Sequence, residues 1–127
     1  MGTARGYLGC FHIMDHYNVT NVVVVGGRNH YSNELSSAEI LDTKTMKWQN
    51  LPNLPFGVIR NNGVESVVGP YLGFSLGGLG SSGTPETRIF GLKKEGENFQ
   101  WEQLKSLSTP RNYLASVNAP SSMLPSC

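Results

Sequence analysis

Cysteine is nearly absent from this chain: Cys10 and Cys127 alone cannot make a disulfide framework. Both are expected as reduced thiols, Cys10 in the core and Cys127 at the terminus. Long apolar runs are missing too, and nothing approaches the roughly 18 to 20 residues of a membrane-spanning helix. Residues 1–10 carry no basic segment followed by an apolar one, so no secretory signal is visible. Charge is sparse and balanced, ten basic against nine acidic residues for a net +1, which gives no electrostatic argument for nucleic acid or an anionic membrane surface. The densest basic spot, Lys93-Lys94, is answered by Glu95 and Glu97 and reads as a solvated hairpin tip. No segment of useful length has helical periodicity. The expected location is cytoplasmic, although the glycosylation sequon Asn18-Val19-Thr20 leaves an extracellular one open.

What the chain has is glycine, 15 residues of it, and short apolar runs between turn formers. Gly26-Gly27 returns 51 residues later as Gly77-Gly78, and Trp48 returns 53 residues later as Trp101. Each glycine pair closes an apolar run, and each tryptophan is followed by two leucines at the same spacing, Leu51 and Leu54, then Leu104 and Leu107. Four marks displaced by nearly one distance define an internal repeat, and a period near fifty is one supersecondary unit. The first unit, about residues 5–51, reads as four strands: Arg5–Ile13, Val22–Val25, Ala38–Leu41 and Met46–Leu51. The four β-branched residues Val22–Val25 lack polar alternation and are expected to be buried on both faces. Asp42 is placed to accept the amide hydrogens of its own turn. The second unit, about 60–107, repeats the order at Asn62–Val68, Tyr71–Leu76, Thr87–Leu92 and Phe99–Leu104, with a long hairpin tip at Lys93–Asn98. Residues 110–118 read as the first strand of a third unit, and 119–127 as an irregular tail.

Apolar strand, Gly-Gly, polar loop, Ala38-Glu-Ile-Leu-Asp-Thr-Lys-Thr-Met-Lys-Trp48 and Leu51-Pro-Asn-Leu-Pro55 closely resemble a kelch repeat, with Gly77, Gly78, Trp101 and Leu107-Ser-Thr-Pro-Arg111 in the second copy. Leu41 departs from an aromatic position that Phe90 fills in the second unit. The resemblance implies an all-β fold of two four-stranded antiparallel blades plus one strand, a partial kelch β-propeller over residues 1–118. Propellers close with four to eight blades. A fragment of a longer protein is therefore expected, completed by the remaining blades of a parent propeller or by self-association. A tryptophan between successive sheets would fill the gap between them.

Four features of the chain could carry chemistry. Gly78-Leu79-Gly80-Ser81-Ser82-Gly83 is a literal GxGxxG, but a dinucleotide site needs a helix to follow, and a β-type run follows here. His12 and His16 have the spacing of a shared metal on a helix; on a strand, they are about 13 Å apart. No serine occupies a nucleophile elbow. The chain is therefore expected to be no enzyme, with no metal and no cofactor. The remaining candidates are loop residues: Arg28, Asn29, His30 and Tyr31 after the first glycine pair, Arg60 and Asn61 before the second unit, and Arg111 and Asn112 before the third. The guanidinium fork takes carboxylates bidentately, so an acidic protein or peptide partner is the expected ligand, without nucleic acid or membrane. The other reading is that each arginine ties its own loop. By resemblance, the expected function is protein–protein interaction, as the substrate-recognition part of a cullin–ubiquitin ligase adaptor; the alternatives are an extracellular or actin-associated kelch protein, or the propeller of a galactose-oxidase-like or sugar-modifying enzyme.

Overall fold

The computed structural model describes residues 1–14, 19–66 and 69–116. Within them, eight strands form two four-stranded antiparallel meanders. The first contains β1 (Gly9–Met14), β2 (Thr20–Val25), β3 (Ala38–Asp42) and β4 (Lys47–Leu51); the second contains β5 (Asn62–Glu65), β6 (Tyr71–Leu76), β7 (Ile89–Glu95) and β8 (Asn98–Gln103). The architecture is all-β, and two such sheets are too few to close a propeller. Registers repeat with the sequence: Val25 faces Ala38 in the first sheet, and Leu76 faces Ile89 in the second. Likewise Gly9 faces Val25 and Asn62 faces Leu76.

The two sheets stack face to face. Phe11, Val23, Val25, Ala38, Ile40 and Leu51 of the first form one buried cluster with Phe90 and Leu92 of the second. Phe11 meets Trp101 edge-on, with ring centroids 6.5 Å apart, the arrangement that aromatic quadrupoles favour. Trp101 also donates from Nε1 to the Pro52 carbonyl at 2.9 Å. Val23 to Val25 are buried, as their unbroken β-branched run requires, whereas Val22, expected with them, is only half-buried. Gly63 lies where a Cβ would strike the Cys10 backbone, so the sheets approach through a missing side chain.

The glycine pairs have the same geometry in both units. Gly26 and Gly77 have φ of +67° and +54°. A Cβ on either would lie 2.5 Å from a carbonyl of the incoming segment, that of Val58 or of Arg111 respectively. Both the angle and the space therefore demand glycine. Asp42 Oδ1 accepts from the N–H of Lys44 at 2.8 Å and of Thr45 at 3.1 Å, closing the turn as expected.

On the far face of the first sheet the Arg5 side chain, 0% exposed, pairs with Glu39, 4% exposed, at 2.7 Å. Arg5 also donates to the Gly26 and Ser37 carbonyls, each at 2.8 Å, and Gly2 N–H donates to Glu39 at 2.6 Å. Burial pushes the Glu39 carboxyl up, but hydrogen bonds from Gly2 and Arg5 outweigh it and hold the group below the usual glutamate range.

Several expectations are corrected. Cys10 is exposed rather than in the core, because alternation along β1 turns Phe11 inward instead. Trp101 fills the space between the sheets, whereas Trp48, its counterpart, lies half-buried outside the core cluster, on the face turned away from the second sheet. The 51-residue displacement makes Leu92 the counterpart of Leu41, and Phe90 that of Glu39, so Phe90 does not supply the missing aromatic. The long tip at 93–98 is mostly ladder: β7 and β8 pair out to Glu95 and Asn98. Gly96 at φ +60° then makes a two-residue turn. Residues 110–116 form no strand; strands open at Gly9 and Asn62, so the equivalent opening falls at Ala115 and the earlier residues match the approach to it. Cys127, Asn18, His16, Asn118 and the tail 119–127 lie outside the described residues.

Candidate functional site

The loops after both glycine pairs and the segments that enter each sheet meet along one rim. Isolated bridges join Gly6 to Arg28 and Arg28 to Glu34 in the first unit, and Ile59 to Leu79 and Leu79 to Pro85 in the second. These are the same positions displaced by one repeat. The GxGxxG segment is part of this rim; only a single 3₁₀ turn, Ser81–Gly83, follows its glycines, and Thr84 is already extended. No helix therefore stands there to receive a phosphate.

Arg28 is held by its backbone, with N–H to the Gly6 carbonyl at 2.8 Å. Its guanidinium has no hydrogen-bond or ion-pair partner among the described residues. Asn29 is a loop builder: its side-chain oxygen accepts from the N–H of Tyr31 and of Asn33, each at 3.0 Å. That turn lifts Tyr31 into solvent, 73% exposed, with the His30 ring 3.7 Å from its own.

Asn61 does not reach the rim. It is buried, donating to Ser75 Oγ at 2.9 Å and toward the Val25 carbonyl at 3.4 Å, and so ties the two sheets together. Arg111 and Asn112 enter as Val58 and Ile59 do: Gly78 N–H donates to the Arg111 carbonyl at 2.8 Å, as Gly27 N–H donates to the Val58 carbonyl at 2.7 Å. The three Arg-Asn pairs are thus not equivalent in space. The counterpart of Arg60 is Tyr113 on one side and Tyr7 on the other, each 53 residues away.

Those three residues form a feature that the dipeptide pattern hid. Tyr7, Arg60 and Tyr113 all adopt left-handed backbone, with φ of 54°, 55° and 49°. The Arg60 N–H donates to the Tyr7 carbonyl at 2.8 Å, and the Tyr113 N–H to the Arg60 carbonyl at 3.4 Å. The Arg60 guanidinium lies over both rings, 5.6 Å from the Tyr7 centroid and 4.4 Å from that of Tyr113. The 53-residue offset already visible between the tryptophans would have found both tyrosines. Nearby, Glu86 is occupied by a two-point fork from Arg88 at 2.8 and 2.6 Å, and Arg88 in turn covers the Phe56 ring.

Among the described residues no group of three or more His, Cys, Asp or Glu could share a metal ion. His12 contacts Glu65 across the two sheets.

The fold and rim define a repeat protein built from four-stranded antiparallel blades whose connecting loops form one accessible edge. Residues 20–55, from β2 to just past β4, match the family model of the kelch motif, and the two four-stranded sheets are consistent with kelch blades. Comparison with curated proteins finds no match.

Proposed function

We propose that this chain is a protein–protein interaction module whose contact surface is the loop rim. Kelch motifs generally mediate protein–protein contact. The observation that carries the reading is that Arg28 and Arg60 stand on this edge with no hydrogen-bond acceptor among the described residues, beside exposed aromatic rings. Arginine and tyrosine are the residue types that dominate protein contacts, because they combine large area with directed donors. The specific form of the reading is substrate recognition for a cullin–ubiquitin ligase; it requires a BTB domain in the same full-length protein.

The test is affinity capture from cell extract on the immobilised chain, comparing unmodified protein with Arg28→Ser/Tyr31→Ser and with Lys44→Met. Lys44 belongs to the turn at the opposite end of the first sheet. Proteins lost from the rim variant but kept by the Lys44 variant support the reading. An identical captured set on all three rejects the rim as the contact surface.

A further inference from the structure

We propose that Arg60, whose guanidinium lies over the rings of Tyr7 and Tyr113, is a carboxylate-binding site for an acidic segment of a partner protein. The proposal rests on the rim reading and adds to it the chemical group that Arg60 would bind.

An exposed arginine must give up most of its rotamer freedom when it grips a ligand, and that loss weakens binding. Arg60 has already given it up. Its backbone is fixed by hydrogen bonds to and from its neighbours one repeat away, and its guanidinium carbon lies 4.4 Å from the Tyr113 ring centroid and 5.6 Å from that of Tyr7. Ring contact over a guanidinium's face leaves its in-plane edge to hydrogen bonds. That edge carries five N–H donors in the plane that a carboxylate meets with two parallel hydrogen bonds.

Those donors are unspent. Arg60 Nε is buried and without a partner, and none of the guanidinium nitrogens reaches an acceptor among the described residues. The contrast with Arg5 lies in the terminal nitrogens: those of Arg5 are taken by Gly26, Ser37 and Glu39, although its Nε is likewise without a partner. The acidic residue on the neighbouring loop cannot serve Arg60, because Glu86 is engaged by Arg88. A buried donor of a charged group is retained at a cost unless something completes it.

The repeat sharpens the assignment. Counterparts one repeat to either side are tyrosines, so an aromatic ladder would satisfy the packing by itself. A charge at the middle rung is a departure from the structural pattern. Tyr7 and Tyr113, 59% and 67% exposed, remain open to a ligand on their outer sides. Arg28 on the same rim supplies a second unpaired cation for a segment with more than one carboxylate.

The probe is a fluorescently labelled hexaglutamate peptide, read by anisotropy at fixed ionic strength, with hexaglutamine and inorganic phosphate as comparison ligands. The unmodified chain is expected to bind hexaglutamate and not hexaglutamine, and phosphate is expected not to displace it. Arg60→Met should weaken binding at least tenfold, Arg60→Lys nearly as much because the fork and the stack are lost, and Lys44→Met less than twofold. Equal losses for Arg60→Met and Lys44→Met overturn the site in favour of diffuse charge, and displacement by phosphate at equal ionic strength overturns the carboxylate assignment. Should Arg60→Met fail to fold, the Arg60 Nε–Hε resonance of the unmodified chain decides: it must shift as hexaglutamate is added, and an unmoved signal overturns the proposal. Capture that survives Arg60→Met but not Arg28→Ser/Tyr31→Ser would sink this site and leave the rim reading standing.

Discussion

The buried Arg5–Glu39 pair offers the most demanding test of the repeat, because the second sheet solves the same position differently. Displaced by one repeat, Arg5 becomes Val58 and Glu39 becomes Phe90, both buried in the core. An ion pair in one unit is an apolar pair in the other. Arg5→Val alone would leave Glu39, 4% exposed, with little more than the Gly2 N–H as a partner. Removing one member of a buried pair costs about 3–5 kcal/mol. Glu39→Phe alone should cost a similar amount, by stranding a guanidinium that is 0% exposed. Changing both together, Arg5→Val/Glu39→Phe, copies the second sheet and should recover most of the loss, since apolar replacement of a buried pair is often neutral or better. Urea unfolding followed by tryptophan fluorescence measures it: with a slope of about 1.5 kcal/mol/M, each single change should lower the midpoint by about 2–3 M, and the double change by under about 1 M. A double variant as unstable as the sum of the singles would show that the two positions are not interchangeable solutions, and the equivalence of the sheets would fail at its centre.

Four other outcomes follow from the same structure. Trp101→Ala should destabilise by about 3 kcal/mol and Trp48→Ala by clearly less, since only Trp101 packs into the core; thermal melting with equal shifts would count against this packing. Gly26→Ala should cost several kcal/mol, because φ of +67° and a carbonyl 2.5 Å away oppose any Cβ, whereas a melt within 2 °C of the parent would contradict the geometry. Glu39 has a folded-state pKa below its unfolded value, so its contribution is present above the unfolded value of about 4.3 and is lost as pH falls through the folded one. Unfolding free energy should therefore drop below about pH 4, and Glu39→Gln should flatten that drop; parallel profiles would reject the assignment. Arg28→Ala should leave the melting temperature unchanged within about 1 °C, because its side chain has no partner among the described residues, and a larger fall would show a structural role.

The fold was legible because its signals are periodic and local. Val22–Val25, the two glycine pairs and Asp42 each announce a strand, a left-handed corner or a turn by their own chemistry, and the strand and glycine pair recur in order. What stayed hidden depends on which side of a strand a residue faces. Trp48 and Trp101 look alike in sequence, yet one faces the neighbouring sheet and the other faces away. Cys10 and Phe11 are adjacent and point in opposite directions. The rim was legible as a set of loops, but its members were misaligned by the Arg-Asn dipeptides. Asn61 follows Arg60 directly and is nevertheless turned into the space between the sheets, where Ser75 holds it. Tyr7 and Tyr113 stand at the 53-residue offset of the tryptophans from Arg60, a signal that the Arg-Asn dipeptides masked.

On the proposed reading a partner protein is met through the loop rim rather than through the open face of a sheet. Amide hydrogen exchange of the chain, free and bound to a protein recovered by capture, separates the two. Added protection is expected to gather at residues 28–34, 59–61 and 111–113, with the strands unchanged. Protection confined to β5 and β6, with the rim exchanging as in the free chain, would contradict it.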